Sequence, residues 1–351
     1  MNRRPTDDFP PLDVRHGRID LGHGAGGRAT AQLVARLFAP AFDNAFLARG
    51  DDGAVLPSPL PGERLVISTD AHVVTPLFFP GGDIGCLSVH GTINDLAVMG
   101  ARPLYLSAAF VLEEGLALAD LARVVASMAE AARAAGVAVV TGDTKVVERG
   151  KGDGVFIVTT GVGAAPAGRQ LGGTQVRSGD AILLSGSIGD HGMAIMACRE
   201  GLAFETEIRS DTAALHGLAA DVMAAAPGLH AMRDPTRGGL AAALNEIAAQ
   251  AGVGMMLDET VIPVQPAVRA VCELLGLDPL HIANEGKLLA ICAERDADAA
   301  LAAMRAHPLG RAAARIGTVV EDEACFVQLR TGLGGCRLVD WLSADPLPRI
   351  C

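Results

Sequence analysis

Short apolar runs alternate along the chain with longer segments of helical period, and this alternation predicts an α/β protein. Up to residue 165 the runs 64–68, 103–112, 137–142 and 155–163 have the length and β-branched content of strands. The clearest helix among them, Leu118 to Ala135, is rich in Ala, Leu and Met and is stopped by Gly136. Beyond Gly168 the pattern restarts, with strands at 181–186, 253–258, 287–293 and 315–320 and helices at 210–226, 239–251, 266–276 and 296–306. Pro, Gly and small residues interrupt it at 164–173. The expected organisation is therefore a mobile arm over 1–20, one α/β domain over 21–165, a second over 166–340, and a flexible tail over 341–351.

Composition narrows the functions open to such a protein. A chain of 351 residues, half of them apolar, can fill two cores. Its net charge of -11 repels a polyanion, and an aromatic content of 3% offers few stacking surfaces for bases, so nucleic-acid binding is disfavoured. No segment approaches the roughly 20 apolar residues of a membrane span, and the first residues lack the apolar centre of a secretion signal. A cytoplasmic location is expected. The seven cysteines show no CxxC or metal-ligand spacing and read as reduced thiols. Six lie in or beside apolar segments, where small core residues are expected. The seventh, Cys351, is the last residue.

Aspartates recur where apolar runs end, beside Gly, Ser or Thr. They are Asp51 and Asp52 in GDDGAV, Asp70 in STD, Asn94 with Asp95 in GTINDLAVMGA, Asp143 in TGDTK and Asp190 in GDHG. Turn and N-cap preference explains any one of them alone. Taken together they suggest carboxylates converging on magnesium, which takes oxygen ligands and shares them with substrate phosphates. Gly26 and Gly27 in HGAGGR can present backbone N–H groups to phosphate oxygens, although neither a Walker A loop nor a dinucleotide fingerprint is present. Lys145 follows this pattern at TGDTK, as a charge neutraliser, a proton carrier or a solvated strand-end lysine. Glu285 in NEGK can serve as a general base or hold a turn with Gly286. Pro346 and Pro348 favour an extended strip that projects the Cys351 thiol outward or lets it reach elsewhere as a nucleophile.

GDDGAV, STD, INDLAVMGA and TGDT, in this order, resemble the ATP-binding superfamily of aminoimidazole ribonucleotide synthetase, selenophosphate synthetase and thiamine-monophosphate kinase, over about residues 40–340. FFPGGDIG, TGDTKVVERG, GDHG, RDPTRGGL, CELLGLDPL, ANEGKL and the closing PRIC are similar to the HypE family of hydrogenase maturation proteins, over nearly the full length. The resemblance implies a two-domain α/β fold, a homodimer formed through the N-terminal domains, and an ATP site between domains. It implies that the carbamoyltransferase HypF loads a carbamoyl group on Cys351. ATP-dependent dehydration would make this a thiocyanate, whose cyanide passes to iron on a HypC–HypD complex. It also implies magnesium or phosphate contacts for Asp52, Asp70, Asp95 and Asp143, and proton transfer by Lys145 and Glu285. Two alternatives remain at this point: a kinase or synthetase acting on a free small molecule, and a nucleotide-binding assembly scaffold without catalysis. A selenophosphate synthetase is expected to carry a reactive Cys or selenocysteine near its start, whereas the first cysteine here is Cys86.

Overall fold

The computed structural model describes residues 12–24, 28–44, 61–201, 208–340 and 349–351. Asp52, Gly26, Gly27 and most of the expected N-terminal arm lie outside them. Helices α1 (Arg28–Leu33) and α2 (Ala39–Ala41), joined by a π-helical turn, pack Leu33 and Phe38 into the first core, with Phe38 5.0 Å from the ring of Phe110. There follow β1 (Glu63–His72), a hairpin of β2 (Phe78–Phe79) and β3 (Gly82–Asp83), α3 (Ile84–Val98), β4 (Arg102–Glu113), α4 (Leu118–Ala134), β5 (Ala138–Val147) and β6 (Val155–Pro166). The larger strands form a sheet in the order β1-β6-β4-β5. Only β4 and β5 run parallel, as the crossover through α4 requires.

Helices α3 and α4 cover one face of this sheet. The other face presents Leu65 and Ile67, which are 55% and 65% exposed. Asp83 starts α3 by accepting from the amides of Gly85 and Cys86 at 2.7 and 3.1 Å. Nearly every residue of α3 is buried, since it is sandwiched between the sheet and the second domain. Strand β5 runs past the expected end at Gly142, because pairing with β4 carries Thr141, Asp143 and Lys145 along the solvent face beside Ser107, Ala109 and Val111.

The second domain contains β7 (Ala181–Leu184), α5 (Asp190–Arg199), α6 (His216–Ala225), β8 (Leu229–Arg233), α7 (Gly239–Ala251), β9 (Gly254–Asp258), α8 (Pro266–Leu275), β10 (Leu289–Cys292), α9 (Ala297–Ala306), β11 (Ala314–Val320), β12 (Val327–Arg330) and β13 (Cys336–Leu338). Its seven-stranded sheet has the order β13-β12-β9-β11-β7-β10-β8. Strand β7 is buried on both faces. Ile182 and Leu184 join the layer of Leu240, Leu244 and Ile247 on α7, whereas Ala181 and Leu183 join that of Leu218, Val222 and Met304 on α6 and α9. Helix α6 starts at His216 rather than at 210. The preceding residues are drawn out by tertiary bonds, Ser210 N–H to Pro80 O at 2.8 Å and Ala213 N–H to Glu285 O at 3.3 Å.

No boundary in packing separates the two halves. Met193, Ile195, Val268 and Val271 from α5 and α8 share a cluster with Leu87, Leu121 and Val125 of the first domain. Asn94, buried on α3, ties the halves directly. Its amide nitrogen donates to the carbonyls of Ala213 and Glu285 at 3.1 and 3.2 Å, and its oxygen accepts from Leu215 N–H at 2.7 Å. Cysteine burial differs from expectation. Cys272 and Cys292 are core residues and Cys86 and Cys325 are half-buried, but Cys198 and Cys336 are exposed, the latter on the edge strand β13. Asn94→Ala removes three hydrogen bonds and leaves the buried Leu215 amide and the half-buried Ala213 carbonyl without that partner, while the Glu285 carbonyl keeps the Ala213 amide, so a loss of about 2–3 kcal/mol is expected in urea unfolding. A midpoint equal to that of the parent would show that the clamp contributes nothing.

Candidate active site

The last three residues are docked, not projected. Ile350 forms an antiparallel bridge with Val74, the amides of Val73 and Thr75 donate to the carbonyls of Cys351 and Arg349 at 3.2 Å, and the Ile350 side chain enters the first core. Arg199 donates to the carbonyls of Arg349 at 2.6 Å and of Thr75 at 2.9 Å, and Arg349 pairs with Asp153 at 3.2 Å. His191 Nε2 meets the Ile350 carbonyl at 2.5 Å. The expected flexible tail thus has a fixed end in this state, and the thiol of Cys351 interacts with the carboxyl of Glu285.

Around this thiol the two domains bring several carboxylates together. The alternation of β1 puts Ser68, Asp70 and His72 on the helix-covered side. Ser68 Oγ donates to Asp95 at 2.6 Å, and His72 Nε2 lies 3.1 Å from Asp70 Oδ2. Burial opposes the Asp70 charge, but His72 and the Ala71 amide outweigh it and hold this carboxyl below its ordinary range. The others go the opposite way. Burial, abetted by the Asp70 charge and resisted by Ser68, raises Asp95. Asp234, buried and facing Asp95, is pushed up to about 7. Glu285 is driven well above the usual range by burial and then by Asp234, Asp211 and Asp70, and Cys351 by burial and then by Glu285. The positive charge of Arg237 partly offsets the rise at Cys351 and adds to the lowering at Asp70.

Glu285 is held by its neighbours on both sides. Its amide donates to Asp211 at 3.1 Å, and Lys287 bridges Asp211 at 2.9 Å and Asp190 at 3.7 Å. Between them the backbone passes so close to Asp211 that a Cβ at Gly286 would lie 1.8 Å from the Asp211 carbonyl oxygen, which explains glycine there. Asp190, at the first turn of α5, accepts from Ser187 at 2.5 Å, while its Oδ1 and the Oε1 of Glu285 find no hydrogen-bond partner among the described residues. Such orphaned oxygens, each repelled by the charge of Asp211, suit a cation or a proton donor. Among the described residues no three His, Cys, Asp or Glu side chains are grouped to hold a metal ion, and magnesium commonly shares its oxygen ligands with substrate phosphates.

Of the residues singled out from sequence, Asp70, Asp95, Glu285 and Cys351 meet in this cleft. Asn94 borders it, but its polar atoms serve the interdomain clamp. Asp143 and Lys145 do not join it within one subunit. They lie 3.9 Å apart on the solvent face of β5, at the opposite edge of the sheet from β1. Three strand spacings, roughly 14 Å, separate β1 from β5. Sequence reasoning missed Asp211, Asp234, Arg237, Lys287, His191 and Arg199. For four of them the signal was local: the polar, Gly-containing stretches RDPTRGGL, GDHG and NEGK, which hold Asp234, Arg237, His191 and Lys287, break otherwise apolar surroundings, whereas Asp211 and Arg199 stand in no such motif.

This arrangement defines a class. The N-terminal domain of AIR synthase related proteins matches residues 50–165, and their C-terminal domain matches residues 177–330. The chain is 67% identical over 341 residues to carbamoyl dehydratase HypE of Cupriavidus necator, covering 97% of each. It superposes with a TM-score of 0.91 on a hydrogenase maturation protein HypE solved in complex with ATP, at 50% identity and covering 94% of this chain and 99% of that one. A chain of a HypE–HypF complex is similar at a TM-score of 0.77 and 45% identity, with 88% and 99% covered. The protein belongs to the HypE family of carbamoyl dehydratases, within the AIR synthase related proteins.

The titration of Asp234 gives a stability test. A carboxyl raised from 3.8 to about 7 binds its proton more tightly folded than unfolded, so its cost to stability grows as pH climbs from about 4 and is complete above 7. Asp234→Asn, which removes the charge and keeps the shape, should raise the thermal midpoint at pH 8 and lose that gain at pH 4. Destabilisation at pH 8 would mean that the ionised carboxylate is well partnered.

Proposed function

We propose that the protein is an ATP-dependent carbamoyl dehydratase of hydrogenase maturation, acting on a carbamoyl group bound to its own Cys351. The observation that carries this reading is the docking of the Cys351 backbone on Val73 at the acidic cleft, where its thiol comes under the influence of the Glu285 carboxyl. The reaction converts an S-carbamoyl cysteine and ATP into an S-cyano cysteine, ADP and phosphate. The carbonyl oxygen leaves in the phosphate, and both amide protons must be removed. ATP with magnesium supplies, when bound, the phosphoryl group that turns this oxygen into a leaving group.

The chain's own residues supply position, dryness and proton transfer. Ile350 is buried in the first core and Cys351 packs against the same cluster, which limits access of water to the sulfur. Glu285 is the base: burial among carboxylates raises its proton affinity, and its Oε1 has no other task among the described residues. Asp70, Asp95 and Asp52 are the proposed magnesium and phosphate contacts, with Asp190, Gly26 and Gly27 as further nucleotide contacts. A homodimer formed through the outer face of the first sheet would cover Leu65 and Ile67. It would put Asp143 and Lys145 at the subunit boundary, where Lys145 acts on nucleotide charge rather than on the sulfur. HypF is the proposed carbamoyl donor, given the similar protein solved with it, and a HypC–HypD complex the acceptor of cyanide. A thiol in the place where a free acceptor would have to bind disfavours a small-molecule kinase.

The test is intact mass after incubation with the carbamoylating partner and Mg-ATP. Native Cys351 should gain about 43 Da and then lose about 18 Da, and Cys351→Ala should do neither, while Cys336→Ala does both. Either change on Cys351→Ala would assign the carrier elsewhere. Glu285→Gln should keep the gain and slow the subsequent loss at least about 100-fold, the lower range for a general base. Loss at the parent rate would leave Glu285 without that role.

A further inference from the structure

We propose that His191 is a positioning residue for the reaction at Cys351: its Nε2–H holds the Ile350 carbonyl, and Ser210 imposes the tautomer that allows this. The inference deepens the function proposed above and rests on it for the role of the sulfur. In the antiparallel bridge to Val74, the carbonyls of Arg349 and Cys351 face the amides of Thr75 and Val73. The Ile350 carbonyl therefore points the other way, toward α5, where no strand can satisfy it. His191 fills this gap. It is fully buried in the first turn of α5, with the ring of Phe79 against it edge-on at 5.6 Å and 88°.

The hydrogen bonds around His191 run in one direction. A carbonyl only accepts, so Nε2 carries the hydrogen across the 2.5 Å contact to Ile350. In the neutral ring, which burial favours, Nδ1 then accepts from Ser210 Oγ at 2.7 Å. Ser210 Oγ accepts in turn from Thr212 N–H at 3.1 Å. The hydroxyl is thereby oriented to donate to Nδ1, and the ring cannot exchange tautomers without losing a bond. The Ile350 carbonyl lies in the same peptide plane as the amide nitrogen of Cys351, so fixing one fixes the direction in which Cys351 leaves the backbone. That direction brings the sulfur to Glu285. Arg199 grips the neighbouring carbonyls of Thr75 and Arg349.

The test compares full-length His191→Leu, His191→Gln and Ser210→Ala with the parent. The first readout is the rate at which iodoacetamide alkylates Cys351, measured on the C-terminal peptide with exposed Cys336 as internal reference. The second is single-turnover dehydration of the carbamoylated protein. His191→Leu should alkylate about tenfold faster, the factor one buried hydrogen bond is worth, and dehydrate correspondingly more slowly. His191→Gln, whose amide nitrogen can take the place of Nε2 as donor, should restore slow alkylation and the parent dehydration rate. Ser210→Ala should fall between, and it stands as the test on its own should His191→Leu fail to fold. Parent-like alkylation in His191→Leu or in Ser210→Ala, or a His191→Gln protein indistinguishable from His191→Leu, overturns the proposal. Alkylation needs neither nucleotide nor carbamoyl donor, so this arm judges His191 even if the carrier is another residue.

Discussion

Everything at the cleft depends on Asn94 and the extended segment it holds. One buried side chain makes three bonds to the backbone of the other domain, and that backbone continues into Ser210, Asp211 and Thr212. Asp211 then fixes the amide of Glu285 and the ammonium of Lys287. Because interior packing admits few discrete arrangements, two domains clamped this way place Asp70 and Asp95 from one side against Asp234 and Glu285 from the other with little freedom. The repulsion among them is sustained by hydrogen bonds made elsewhere.

Electrostatics gives this rigidity its use. In water, four neighbouring carboxylates would all ionise near their ordinary pKa values. Here Asp70 remains a stable anion while Asp95, Asp234 and Glu285 hold protons more tightly than ordinary carboxyls, so one site contains both an anion and groups of raised proton affinity. The difference arises from partners, chiefly His72 at Asp70, and not from residue type.

Periodicity made much of the fold legible. Helix α4 ends where Gly136 predicted, and every strand expected from an apolar run is present because those runs fill cores on one or both faces. What periodicity could not express is direction across the sheet. Asp143 and Asp70 both stand near Gly and Thr, yet the pairing register turns Asp143 outward and Asp70 inward. Helix α3 gave no stripe, since it is covered on all sides, and residues 210–215 lose their helical tendency to bonds with Pro80 and Glu285. Cys351 was conspicuous by position, whereas its docking depends on Val73, Thr75, His191 and Arg199, which are far away in sequence.

The strand β13 ends in a firm anchorage: Val339 is buried and its amide donates to Val327 O at 2.8 Å, while the carbonyl of Asp340 accepts from His281 at 3.1 Å. The sulfur of Cys351, the proposed carrier, is therefore tethered by the 11 residues after Asp340. Fully extended, such a leash spans on the order of 35–40 Å. That radius draws a sphere around the end of β13, and any molecule that is to react with the sulfur must bring its reacting atom inside it. The leash also sets a high local concentration of the cysteine at its own cleft, so an external partner must compete with a neighbour that never diffuses away.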